Sequence, residues 1–124
     1  MCATTAPLVL IADDDPDNRE MYAGYLSENG FRVAEAHNGQ EAVTLAKQLR
    51  PAIVVLDLHM PRLDGIAVVR KIRRDTTIRT TPILVLTAHD MEEQDAIDAG
   101  ANEVCVKPCN PDALVMRLQR LLKR

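Results

Sequence analysis

Cysteine is scarce in this 124-residue chain, and what there is cannot form a framework. Cys2, Cys105 and Cys109 cannot all pair within one chain, and they make neither a CxxC pair nor a zinc set. They read as reduced thiols of the kind kept in the cytosol, with Cys105 serving as a small strand hydrophobe. Long apolar runs are missing too. No uninterrupted stretch approaches the about 18 residues that span a bilayer, so no membrane segment is expected. The start, MCATTAP, lacks the basic residues and apolar core of a signal peptide, and a cytoplasmic location is the expectation. Positive charge is not in surplus: a net charge of −3 argues against direct binding of nucleic acid. Linkers, low-complexity tracts and charged tails are absent, so residues 1–124 are expected to form one domain. With 47% hydrophobic residues, that domain can bury a core without disulfides or structural metal.

What is present is a regular beat of short apolar runs. LVLIA (Leu8–Ala12), FRVAEA (Phe31–Ala36), AIVVL (Ala52–Leu56), PILVL (Pro82–Leu86) and EVCV (Glu103–Val106) read as strands. The third and fourth are continuous, as in a parallel sheet covered on both faces, whereas FRVAEA alternates and suits an edge. Helical patterns lie between them. Ala42, Leu45, Ala46 and Leu49 share one helix face, and Leu114, Leu118, Leu121 and Leu122 share another. Asp15-Pro16 and Asn110-Pro111 each read as an N-cap followed by proline in the first turn. Asp90 and Glu93 form a D-x-x-E capping pattern, and Gly100 closes that helix. A strand–helix unit repeated in this way implies a doubly wound α/β fold with right-handed crossovers and helices on both faces.

In such sheets, sites form beyond the carboxyl ends of the strands. The stretch LVLIADDDPDN drives the first strand into three adjacent aspartates, whose like charges repel. Asp15 has a structural role as the cap of the helix opened by Pro16. Asp13 and Asp14 have none, and with Asp57, after the third strand, they would put three carboxylates in one crevice. That arrangement suits a hard divalent cation, Mg²⁺. Thr87 after the fourth strand offers a hydroxyl, and Lys107 after the fifth offers a mobile ammonium suited to phosphate. Carboxylates, metal, hydroxyl and ammonium together describe a centre for phosphoryl transfer, with Asp57 as the nucleophile that forms an aspartyl phosphate. The second strand ends in HNG and contributes nothing comparable.

The motifs LIADDD, DLHMPRLDG, VLTAHD and VKPCN, in this order along the chain, resemble the receiver domain of two-component response regulators, over essentially the whole length. The resemblance implies a flavodoxin-like three-layer sandwich, (βα)5, with a five-stranded parallel sheet in the order 2-1-3-4-5. It implies Asp57 as phospho-acceptor, Asp14 as a direct Mg²⁺ ligand with Asp13 as its acidic companion, and the backbone carbonyl of His59 as a further ligand. Thr87 and Lys107 would hold the phosphoryl oxygens, and Lys107-Pro108 would be cis. His59 and His89, each two positions beyond Asp57 or Thr87, would tune the lifetime of the phosphoryl group. The phosphoryl donor would be a histidine kinase or a histidine phosphotransfer protein, and the output a contact with a downstream protein. Such a domain catalyses its own phosphorylation and dephosphorylation and is not a turnover enzyme. The chain departs from the family at Val104, a switch position where receivers usually carry Tyr or Phe, which puts ring-coupled signalling in doubt.

A stand-alone, chemotaxis-regulator-like receiver is the leading expectation. The alternatives are a phosphorylation-independent binding module, a fragment of a larger regulator or hybrid kinase, and a Mg²⁺-dependent phosphohydrolase, for which the chain has no spare length to form a cap. Four further expectations concern single features. His37 is incidental. Asp64-Gly65 is the turn and cap of the third helix. The basic run Arg70–Asp75 is a solvated face. Tyr22, Tyr25 and Leu26 contribute to a kinase-docking face, with at least one tyrosine in the core.

Overall fold

A computed structural model describes residues 6–58 and 65–123. Cys2, the MCATTAP leader as far as Thr5, His59 and Asp64 lie outside them. The elements in order are β1 (Leu8–Ala12), α1 (Pro16–Glu28), β2 (Arg32–Ala36), α2 (Gly39–Leu49), β3 (Ile53–Asp57), α3 (Gly65–Arg74), β4 (Ile83–Thr87), a 3-10 turn (Asp90–Glu92), α4 (Glu93–Ala99), β5 (Glu103–Val106) and α5 (Pro111–Leu122). The strands form one parallel sheet in the order β2-β1-β3-β4-β5, as expected.

Alternation along the strands divides the core into two layers. Val9, Ile11, Ile53, Val55, Leu84, Leu86 and Cys105 face α1 and α5, where Tyr22, Leu26, Leu114 and Leu118 meet them. Leu10, Ala12, Val54, Leu56, Ile83, Val85 and Val104 face the opposite layer, built on Ala42 and Ala46 of α2, Val68 and Ile72 of α3, and Ala96 of α4. β3 and β4 are buried along their whole length, which accounts for their continuous apolar sequence.

Helix starts follow the sequence signals at two places. The Asp15 side chain accepts from the Asp17 amide, and that of Asn110 accepts from the Asp112 amide. A third cap, Asn38 on α2, lies in the HNG that promised nothing, and His37 beside it shares Glu41 between its ring and its amide. The D-x-x-E pattern at Asp90 does not form a capping box. A 3-10 turn occupies Asp90–Glu92, and α4 begins at Glu93 with no side-chain cap. Gly100 ends α4 with φ +123°, a conformation that favours glycine.

The basic run of α3 is not simply solvated. Arg73 donates to the carbonyls of Gly100, Arg79 and Thr81 and to Oδ1 of Asn102, while Asn102 Oδ1 also accepts from the Ile83 amide. Arg73 thus pins α3 to the loop before β4 and to the end of α4. Tyr22 and Leu26 are core residues, Tyr22 also lining a groove beside Lys107, and Tyr25 is half-buried against the same core.

Candidate functional site

The register of the parallel strands sets their carboxyl ends side by side. Ala12 is level with Leu56, so Asp13 and Asp57 are the next residues on neighbouring strands. Asp57 is level with Leu86, and Thr87 with Val106, with Lys107 immediately beyond. Asp57 and Thr87 are the last residues of their strands, which run one position beyond the ends read from the sequence, so backbone pairing fixes them directly. The Lys107 amide bonds to the Thr87 carbonyl at 2.6 Å, and Lys107-Pro108 is cis.

Asp57 is buried, and its Oδ2 accepts from Lys107 Nζ at 2.7 Å. Asp13 is 1% exposed. Its Oδ1 accepts from the Asp15 amide at 2.9 Å, but its Oδ2 is buried without a hydrogen-bond partner among the described residues. One carboxylate oxygen from each of Asp13, Asp14 and the Asp57 side chain lies within 4.8 Å of the others. Burial pushes the Asp13 carboxyl up to about 6; Asp57 and Asp14 push the same way, while the Asp15 amide and Lys107 oppose. A buried carboxylate oxygen left unsatisfied costs free energy, and a hard cation among converging carboxylates would satisfy it. The residues present therefore fit Mg²⁺.

Thr87 is also fully buried. Its Oγ1 accepts from the His89 amide at 3.1 Å and sits 2.7 Å from Glu92 Oε1 and 3.3 Å from the His89 carbonyl. A hydroxyl has one proton to give, and the short, charge-assisted contact to Glu92 takes it. Thr87 is thus at the expected strand end with its hydroxyl directed to Glu92. His89 is exposed beside it. Val104 is buried on β5, level with Val85, in the core under α4.

Three further residues shape the site through contacts that the sequence reading does not identify. Arg19 of α1 is 6% exposed; its Nη1 donates to the Asp13 carbonyl at 2.8 Å and its Nε to Glu35 Oε1 at 2.9 Å. It clamps the acidic loop from behind. The Tyr22 hydroxyl donates to the Cys109 carbonyl at 2.8 Å and ties α1 to the loop that carries Lys107. Glu92 holds Thr87. Each of these partners is distant in sequence or chosen by tertiary packing, so spacing alone could not reveal it. An arginine in the first turns of a helix that follows an acidic loop is the one available hint.

Comparison with known proteins agrees with this geometry. Residues 9–119 match the family model for the response regulator receiver domain. The transcriptional regulatory protein SrrA of Staphylococcus aureus is 39% identical over 118 residues, 94% of this chain and 48% of SrrA. The chain thus spans about half the length of the curated relatives it matches. The chemotaxis response regulator CheY4 of Vibrio cholerae superposes with a TM-score of 0.89 at 34% identity, over 94% of this chain and 99% of that one. The receiver domain of the sensor histidine kinase PA1611 of Pseudomonas aeruginosa, described with a magnesium ion coordinated in its active-site cleft, has a TM-score of 0.89 at 30% identity, over 96% and 99% of the two chains. Receiver domains generally bind Mg²⁺ in their acidic cluster, interact with histidine kinases and downstream targets, and are not turnover enzymes. No helix among the described residues is long and apolar enough to cross a membrane. With the sheet order, the acidic cluster and the sequence match all agreeing, this chain belongs to the receiver domains of two-component response regulators.

Proposed function

We propose that residues 1–124 act as one receiver unit in which Asp57 is the phospho-acceptor. The observation that carries this reading is the position of Asp57: buried at a strand end, bonded to Lys107 Nζ, and sharing a crevice with Asp13 and Asp14. An Asp57 oxygen would attack the phosphorus of a phosphohistidine on a histidine kinase or phosphotransfer protein. The P–N bond breaks, a P–O bond to Asp57 forms, and the imidazole leaves as the neutral group once protonated. Asp14, Asp13 and Asp57, with the carbonyl of His59, would hold Mg²⁺, which when bound neutralises charge on the transferring group. Lys107 would pass from the Asp57 carboxylate to a phosphoryl oxygen, and the Thr87 hydroxyl would take another. His59 and His89 would flank the group and set its lifetime. The groove beside Lys107, lined by Asn18, Met21 and Pro108, provides a docking surface for the phosphoryl donor. Signal leaves through contact with a downstream protein.

Incubation with acetyl phosphate and Mg²⁺, followed by peptide mass spectrometry, is expected to add one phosphoryl group to Asp57. The Asp57→Asn variant should take up none, and omission of Mg²⁺ should reduce labelling at least tenfold. Undiminished labelling of Asp57→Asn would refute the assignment.

A further inference from the structure

We propose that Glu92 is the resting partner of the Thr87 hydroxyl and that its release carries the phosphorylation signal to α4, replacing the aromatic relay that Val104 cannot supply. This rests on the reading of Asp57 as phospho-acceptor and names the device coupled to it.

Thr87 Oγ1 has one proton, and in this structure it lies on Glu92 Oε1 at 2.7 Å. The hydroxyl cannot donate to Glu92 and to a phosphoryl oxygen at once. A phosphoryl group on Asp57 therefore competes with Glu92 for the same donor, and each contact formed breaks the other. Glu92 is well placed to transmit that exchange. It is the last residue of the 3-10 turn and directly precedes Glu93, the first residue of α4, so there is no slack between the carboxylate and the helix.

The segment it would move is weakly held. Neither the turn nor α4 has a side-chain N-cap bond, and Ala96 is the only buried residue of the helix. Few buried side chains and a helix start with no side-chain cap mark a region of low local stability. The turn also carries Met91, 86% exposed, so a rearrangement there changes the surface offered to a partner. Position 104 contributes no such motion: Val104 is buried on β5, and a β-branched side chain has no ring to swing.

The test is hydrogen exchange across residues 88–99, read by mass spectrometry, in the wild type and in Glu92→Gln and Glu92→Ala. Beryllofluoride with Mg²⁺ serves as the phosphoryl mimic. In the wild type, the mimic is expected to speed exchange in this segment. In Glu92→Ala, exchange there should be raised before any mimic is added, and beryllofluoride should bind about tenfold more tightly, or about 1.4 kcal/mol. Glu92→Gln keeps a weaker acceptor and should fall between the two; it also serves if the alanine variant folds poorly. Wild-type exchange and wild-type affinity in both variants would overturn the proposal. Labelling of Asp57 by acetyl phosphate, measured on the same samples, separates the failures. With Asp57 labelled, unchanged Glu92 variants refute this inference alone; with Asp57 unlabelled, the reading beneath it falls as well.

Discussion

The acidic corner at the ends of β1 and β3 and the turn after β4 lie on the same edge of the sheet, but they are held by different means. The first is locked from several sides. Arg19 grips the Asp13 carbonyl, the Asp15 cap fixes the start of α1, and the Gly65 amide bonds back to the Leu58 carbonyl at 3.0 Å. The second has uncapped helix starts, one buried residue in α4, and side-chain and amide bonds that converge on the Thr87 hydroxyl. The difference separates two tasks. Phosphoryl transfer needs its groups held in place before reaction, whereas a switch needs an element whose alternative states differ little in free energy.

The largest expected effect comes from breaking the locked side at Gly65. A Cβ there would lie 2.6 Å from Leu58 Cα and 2.9 Å from the Asp57 carbonyl, both backbone atoms that cannot step aside singly. Gly65→Ala should cost about 3 kcal/mol in urea unfolding and slow labelling of Asp57 together with it. A full-stability variant would show that this corner yields as readily as the turn after β4.

The locked side also stores a charge that the fold does not want. Asp13 titrates near 6 in the folded chain, raised chiefly by burial, against about 3.8 when unfolded. The folded state therefore holds its proton more tightly. The stabilisation from that proton is complete below about pH 4 and is lost as pH rises through about 6, up to about 3 kcal/mol in all. Glu41 and Asp75, lowered by their own hydrogen bonds, act in the opposite sense as pH falls, so the comparison must be with Asp13→Asn. Without metal, Asp13→Asn should exceed the wild type in stability at pH 7.5 and match it near pH 4. Added Mg²⁺ should narrow the gap at pH 7.5, because the cation favours the ionised carboxylate. An equal gap at both pH values would remove burial of Asp13 as the cause.

The two corners also differ in how far the sequence discloses them. Asp13, Asp14, Asp57, Thr87 and Lys107 stand out because polar residues end apolar strands, and the parallel register does the rest. Asp15-Pro16 and Asn110-Pro111 announce helix starts through local bonds that the sequence encodes directly. At Asp90 the same logic fails. Glu93 has the spacing of a capping box, but the adjacent Glu92 is drawn to Thr87 and the turn tightens to 3-10, which moves the helix start two residues on. Arg73 reads as part of a solvated face, and Arg19 draws no notice, for a related reason. Each is a cation in a polar-looking stretch whose partners are mostly backbone carbonyls from other elements, and no local pattern marks a carbonyl as waiting.

The smallest expected effect sharpens the comparison from the soft side. Met91 is 86% exposed on the 3-10 turn, so its side chain keeps most of its contact with water in the folded chain. Burial is what makes a methionine stabilising, and here there is almost none to lose. Met91→Ser should therefore leave the urea midpoint unchanged to within about 0.5 kcal/mol and leave acetyl phosphate labelling of Asp57 at the wild-type rate. A loss above about 1 kcal/mol would mean that Met91 packs in solution and that the turn after β4 is held nearly as firmly as the acidic corner. The Thr87–Glu92 contact would then be one tie among several, and its exchange too small a change to move α4.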